Sequence, residues 1–243
     1  MIPRLTILVL AFIFLSMQMK VLQTHTTTNF KIRYDKNIPT KDIQEIGTSL
    51  ETKYSHYRKI FNISFDNRVE VFVFNTVGRF KAESQSRIYS DGDYRSGTLY
   101  LVYPANQEGK LNLDDVISRI VVHAVLAKIP ACPTWLAEAY SIYTGDNLLT
   151  FGEPARFNIS SFNDLGEDYN RVVDKKDVKE LYAKLAYTIH FLIHRYGDAK
   201  VLTMLRNFKN GRTVEEVFES SFNENISDIE KVWVKELRTP LKE

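Results

Sequence analysis

Two side chains near the middle of the chain are of the types that hold a catalytic metal. His123 and Glu138 stand fifteen residues apart in VVHAVLAKIPACPTWLAEAYSIYTG, Val121 to Gly145. A catalytic zinc takes three protein ligands and a water, and two of the ligands are commonly histidines at i and i+4, stacked on one helix face. The residue after the first histidine is then a glutamate that accepts the proton of the metal-bound water. Here Ala124 follows His123, and Ala127 stands four residues on. Two ligands and no base remain. A buried neutral imidazole, hydrogen-bonded to Glu138 or to a backbone carbonyl, accounts for His123 without a metal.

A second histidine pair offers a way to complete the set. His190 and His194 have the i, i+4 spacing of two ligands on one helix. They also sit near the C-terminal end of that helix, where a cationic imidazole is favoured with no metal at all. His25 falls in a terminal linker and His56 on an amphipathic helix, and neither is assigned a role.

The stretch resembles the peptidase MA-like family of gluzincin zinc metallopeptidases, whose pattern is HExxH, a short loop, a Pro-x-Trp-Leu turn and a glutamate ligand. Pro133, Trp135, Leu136, Glu138, Ala139 and Tyr143 fit the downstream half, with Glu138 at the ligand position. The upstream half departs at Ala124 and Ala127, leaving His123, Ala124, Ala127 and Glu138 as the relic metal-site positions. The later helices follow the family's order, from a long helix ending in Tyr196-Gly197 to a last one carrying Trp233, so the likeness runs from Phe30 to Leu237.

The resemblance implies a scaffold without catalysis, because losing the general base alone removes about 10²–10⁴ in rate. It implies no bound cofactor and no catalytic residue. The residual cleft, with Trp135, Tyr140, Tyr187 and His190 as its candidate lining, is expected to take a peptide or protein ligand. Ser96 to Tyr103 is expected to serve as the edge strand that pairs with it through main-chain hydrogen bonds. Trp135 itself is expected to wedge between the helix of His123 and the long helix of Tyr187. Two other readings stay open. One is an active metallopeptidase with a zinc held by His123, Glu138 and His190 or His194; the other is a membrane-tethered structural domain.

Positioning these residues falls to elements legible from periodicity. Phe30 to Tyr34 reads as a strand, and Ile43, Ile46, Leu50, Tyr54, Tyr57 and Phe61 recur at helical spacing. RVEVFVFN, Arg68 to Asn75, and GTLYLVY, Gly97 to Tyr103, read as strands, with the segment between them a loop. From Asn112, an N-cap followed by Asp114 and Asp115, the chain turns helical. Its helix presents Val116, Ile120, Ala124 and Ala127 inward. Val178, Tyr182, Leu185, Ile189, Leu192 and Tyr196 form one stripe of a helix that Gly197 stops, and Thr213 with Glu216 and Ser227 with Glu230 read as two capping boxes. The predicted fold is α+β: a small N-terminal mixed sheet with helices, then a mostly helical part, in a single domain over residues 24–243.

Composition excludes some partners. In 243 residues, 26% charged with a net charge of +2, basic and acidic residues are interspersed, which gives no phosphate-binding arm and no nucleic-acid partner. Arg4 precedes LTILVLAFIFLSM, so residues 1–23 read as a signal peptide or an N-terminal membrane anchor. The protein is expected to be secreted or extracytoplasmic, tethered to the membrane if that segment is retained. Cys132 is the only cysteine and excludes an internal disulfide. Asn62, Asn158 and Asn225 each begin an Asn-Ile-Ser triplet, the acceptor pattern for N-glycosylation in an exported chain.

Overall fold

The computed structural model describes residues 22–85, 91–103, 112–145, 161–171 and 175–237. Of the export segment expected over residues 1–23, residues 1–21 lie outside the described residues, as does the acceptor triplet at Asn158.

Five strands form one mixed sheet: β1 (Gln23–Thr26), β2 (Phe30–Tyr34), β3 (Val69–Phe74), β4 (Gly92–Arg95) and β5 (Thr98–Val102). Their order across the sheet is β1, β2, β3, β5, β4; β2, β3 and β5 run parallel, and β1 and β4 pair antiparallel at the two edges. His25, expected in a linker, therefore lies within β1. The parallel β2–β3 pair needs a crossover, which helix α1 (Thr40–Phe61) supplies. Its predicted stripe, from Ile43 to Phe61, is buried.

Period-two alternation assigns the sheet's two faces. Phe30, Ile32, Val71, Val73, Leu99 and Leu101 point into the main core beneath α1 and α3 (Leu113–Leu126). On the other face Phe74 and Val102 are covered by Phe80 of a short helix, α2 (Val77–Ser84). Phe72 stacks there on its cross-strand partner Tyr100, with Arg33 over the Phe72 ring.

Two expectations are corrected in this half. The segment between the predicted strands is more than a loop, since it contains α2, capped by the Thr76 side chain, and β4. And Thr98–Val102 does not form an edge, because it lies between β3 and β4 with main-chain pairing on both sides.

The second half is helical: α4 (Thr134–Gly145), α5 (Phe162–Arg171), α6 (Lys175–Tyr196), α7 (Asp198–Asn207) with a 3₁₀ turn at Phe208–Asn210, α8 (Val214–Phe222) and α9 (Ile226–Leu237). Gly197, at φ 85°, turns the chain from α6 directly into α7. Thr213 and Glu216 form the predicted reciprocal capping box on α8. Ser227 and Glu230 do not form theirs. Asn225 caps α9 instead, accepting the Ser227 N–H, while Glu230 accepts the Phe162 N–H at 2.7 Å and so ties α9 to the start of α5. Phe162 also packs against Trp135, Phe218 and Trp233, joining α4, α5, α8 and α9 in one aromatic cluster.

Candidate functional site

α3 and α4 are packed together and joined by the short link at residues 127–133. The approach is close: a Cβ at Gly145 would meet Arg119 Cβ and the Asp115 carbonyl oxygen at 2.6 Å. β4 lies against the same turn of α3, where a Cβ at Gly92 would meet Val116 Cγ1 at 2.6 Å. Two glycines thus let a strand and a helix close on the turn that carries Arg119.

Glu138 is the centre of the buried cluster that results. His123 Nδ1 lies 2.8 Å from Glu138 Oε2, and the Tyr182 hydroxyl donates to Oε1 at 2.9 Å from α6. Arg119 Nη1 stands 3.9 Å from Oε1, and its Nη2 donates to the Gly92 carbonyl at 2.5 Å. Arg119 and His123 are four residues apart and so share a face of α3. Glu138 is 1% exposed, Arg119 3% and His123 7%. The Tyr94 ring on β4 closes over His123 at 5.3 Å between centroids.

The electrostatics follow from this packing. Burial alone would raise the Glu138 carboxyl. The charge and hydrogen bond of His123, the Arg119 charge and the Tyr182 hydroxyl outweigh it and hold the group below the usual carboxylate range. Tyr182 is pushed well above an ordinary tyrosine by burial first, then by the adjacent carboxylate. Burial also raises Tyr94.

The remaining sequence-derived positions separate into distinct places. Ala124 is buried within α3, as expected. Ala127 is exposed, not inward as its spacing suggested, because the helix ends at Leu126 and Ala127 is its C-cap, donating its N–H to the His123 carbonyl at 2.9 Å. Trp135, Tyr140 and Tyr187 are buried. Trp135 stacks on Phe162 and lies over Gly166, both of α5. Tyr140 meets Phe61 edge to face. His190 is half-buried beside Tyr187, and His194 is exposed, their rings stacked on each other.

The residue of α6 that reaches Glu138 is Tyr182. His190 comes eight residues later, about 12 Å along the helix axis at 1.5 Å per residue, which is too far to share an ion with Glu138. Among the described residues, no three His, Cys, Asp or Glu side chains gather as a ligand set. Glu138 also turns its oxygens to His123, Tyr182 and Arg119. The donors present therefore do not fit the three-ligand zinc centre that the family resemblance implies.

Arg119, Tyr182, Tyr94 and the two glycines were not singled out from the sequence as site residues. Arg119 did leave a signal, as the one Asp, Glu, Lys or Arg between Val116 and Leu126 in an apolar run. A full charge in such a run needs a partner.

The family model of the peptidase MA superfamily matches residues 109–239, more than half of the chain and the whole of this cluster apart from β4. No curated protein matches the chain.

Proposed function

The chain belongs to the peptidase MA superfamily, and from that premise we propose that it is an exported, non-catalytic member that takes an extended peptide or protein segment along its edge strand β4. The observation that carries the non-catalytic reading is the state of Glu138. At the position where the superfamily pattern has a metal ligand, this carboxylate is buried and engaged by His123, Tyr182 and Arg119. Ala124, at the position of the proton acceptor, has no group to activate a water. No cofactor is required by this reading.

Peptide capture is assigned to β4, the strand at the edge of the sheet beside α3. An added strand would take its affinity from main-chain hydrogen bonds, which need no metal. Export rests on the apolar run after Arg4. Among the described residues no helix is long and apolar enough to cross a membrane.

Metal analysis and peptide-library digestion of the purified protein test the proposal. Less than stoichiometric zinc and no cleavage are expected. One equivalent of zinc that is lost on His123→Ala, together with cleavage, would overturn it. For the peptide, a library selected on the parent should bind less well to Tyr94→Pro, which removes a main-chain donor from β4. N-terminal sequencing of the exported protein tests whether residues 1–23 are removed.

A further inference from the structure

We propose that Arg119 takes over the charge of the metal: its guanidinium balances Glu138 from within the chain and thereby keeps a divalent cation out of the cluster. This goes beyond the absence of a ligand and a base, and it does not depend on peptide capture.

A carboxylate ligand buried between two helices needs a positive charge beside it, since an uncompensated buried charge is strongly unfavourable. In the superfamily pattern the metal supplies that charge. Here Arg119 Nη1 stands 3.9 Å from Glu138 Oε1, and both side chains are almost wholly buried. The pattern's two histidines occupy one helix face at i and i+4. This chain has a basic pair at the same spacing displaced one turn toward the N-terminus, Arg119 and His123 in place of His123 and residue 127.

The guanidinium is held in place from its other side as well. Nη2 donates to the Gly92 carbonyl, and Gly92 and Gly145 leave β4 and α4 near enough to enclose the Arg119 turn. A buried guanidinium hydrogen-bonded to Gly92 and facing Glu138 resists swinging away to admit an ion. A metal drawn to His123 and Glu138 would meet a fixed positive charge in low-dielectric surroundings, where repulsion is strong.

The consequence is that restoring the missing ligand is not sufficient. Position 127 has room for an imidazole, because Ala127 is exposed while its backbone continues the helical turn. Zinc affinity, measured on the full chain by competition with a chromogenic chelator, should rise little for Ala127→His. Ala127→His with Arg119→Gln should bind at least about tenfold more tightly than Ala127→His, while Ala127→His with Arg119→Lys should stay close to it. Equal affinity in the Gln and Ala127→His variants, or equal tightening by Lys and Gln, would overturn the proposal.

Thermal melting of Arg119→Gln, Glu138→Gln and the double variant gives a second test that needs no metal. The double variant should be more stable than Arg119→Gln alone, since removing the carboxylate removes the need for the cation. A double variant less stable than Arg119→Gln would show that Arg119 does not serve Glu138. The zinc content of the parent chain tests the non-catalytic reading separately from either comparison.

Discussion

His123 Nδ1 and Glu138 Oε2 lie 2.8 Å apart, so the two groups that would face a shared metal in the superfamily pattern face each other. Each satisfies the other's buried polar atom. Removing the imidazole leaves the buried carboxylate one hydrogen bond short, and His123→Ala is expected to cost about 1–3 kcal/mol in urea unfolding at neutral pH. Glu138→Gln should cost less, because the amide carries no charge: its oxygen can still accept from His123, while its NH2 can donate to the Tyr182 hydroxyl oxygen in place of the bond that Tyr182 gives the carboxylate. A His123→Ala chain as stable as the parent would mean that the pair does not hold α3 to α4.

Acid should act on the same pair. The Glu138 carboxyl is held below its ordinary value in the folded protein. Its contribution is therefore fully present above the unfolded value of about 4.3, and is lost as pH falls through the lower folded value. Between pH 7 and pH 5 this group should leave stability unchanged, and below about pH 4 the parent should lose stability faster than Glu138→Gln. Urea midpoints of the two proteins across that range are the measurement. Parallel curves at the acid end would assign the loss to other carboxylates.

How far the fold was legible depended on whether a segment makes its contacts with side chains at a regular period. α1, β2, β3 and α6 bury regular stripes, and the Thr213 capping box needs only local chemistry, so all were readable. β4 was not, because GDYR carries no apolar alternation and one of its main contacts is the Gly92 backbone against Val116 and Ile120. α2 buries only Phe80 and Ser84 in eight residues. The site shows the same division. His123 and Glu138 stand out by residue type and spacing, whereas Tyr182 reads as one more member of an apolar stripe until α6 is docked on α4. The exposure of Ala127 follows from where α3 stops, which periodicity alone does not mark.

Trp135 is placed by the structure in the aromatic cluster with Phe162, Phe218 and Trp233. It lies in the first turn of α4, two residues after Pro133, and is buried, with Gly166 beneath its ring. Trp135→Ala should cost about 3–5 kcal/mol, through lost burial and the cavity left at the junction of α4 and α5. Zinc content and peptide binding should follow stability and show no separate loss. An unchanged unfolding midpoint with weakened peptide capture would instead assign the ring to the ligand.

The closeness of α4 to α3 predicts opposite outcomes at two glycines. At Gly145 an added methyl group would meet the Asp115 carbonyl and Arg119 Cβ at 2.6 Å, and neither is the far end of a flexible side chain. Gly145→Ala must push α4 away from the Arg119 turn, which places the cost in the range of about 1–3 kcal/mol usual for overpacking. At Gly78, in the first turn of α2, nothing lies within 4 Å of an added Cβ. Gly78→Ala should then stabilise the protein by up to about 1 kcal/mol through the reduced freedom of the unfolded chain. Because Arg119 is held where these elements meet, Gly145→Ala should also weaken the contacts that hold the Glu138 carboxyl below its ordinary value, and so flatten the loss of stability in acid relative to the parent. Gly78→Ala should leave the acid profile parallel to the parent's. Urea titrations of both variants at pH 7 and pH 4 would separate these outcomes, and an Ala at 145 that is tolerated at both pH values would show that α4 can stand off α3 without disturbing the site.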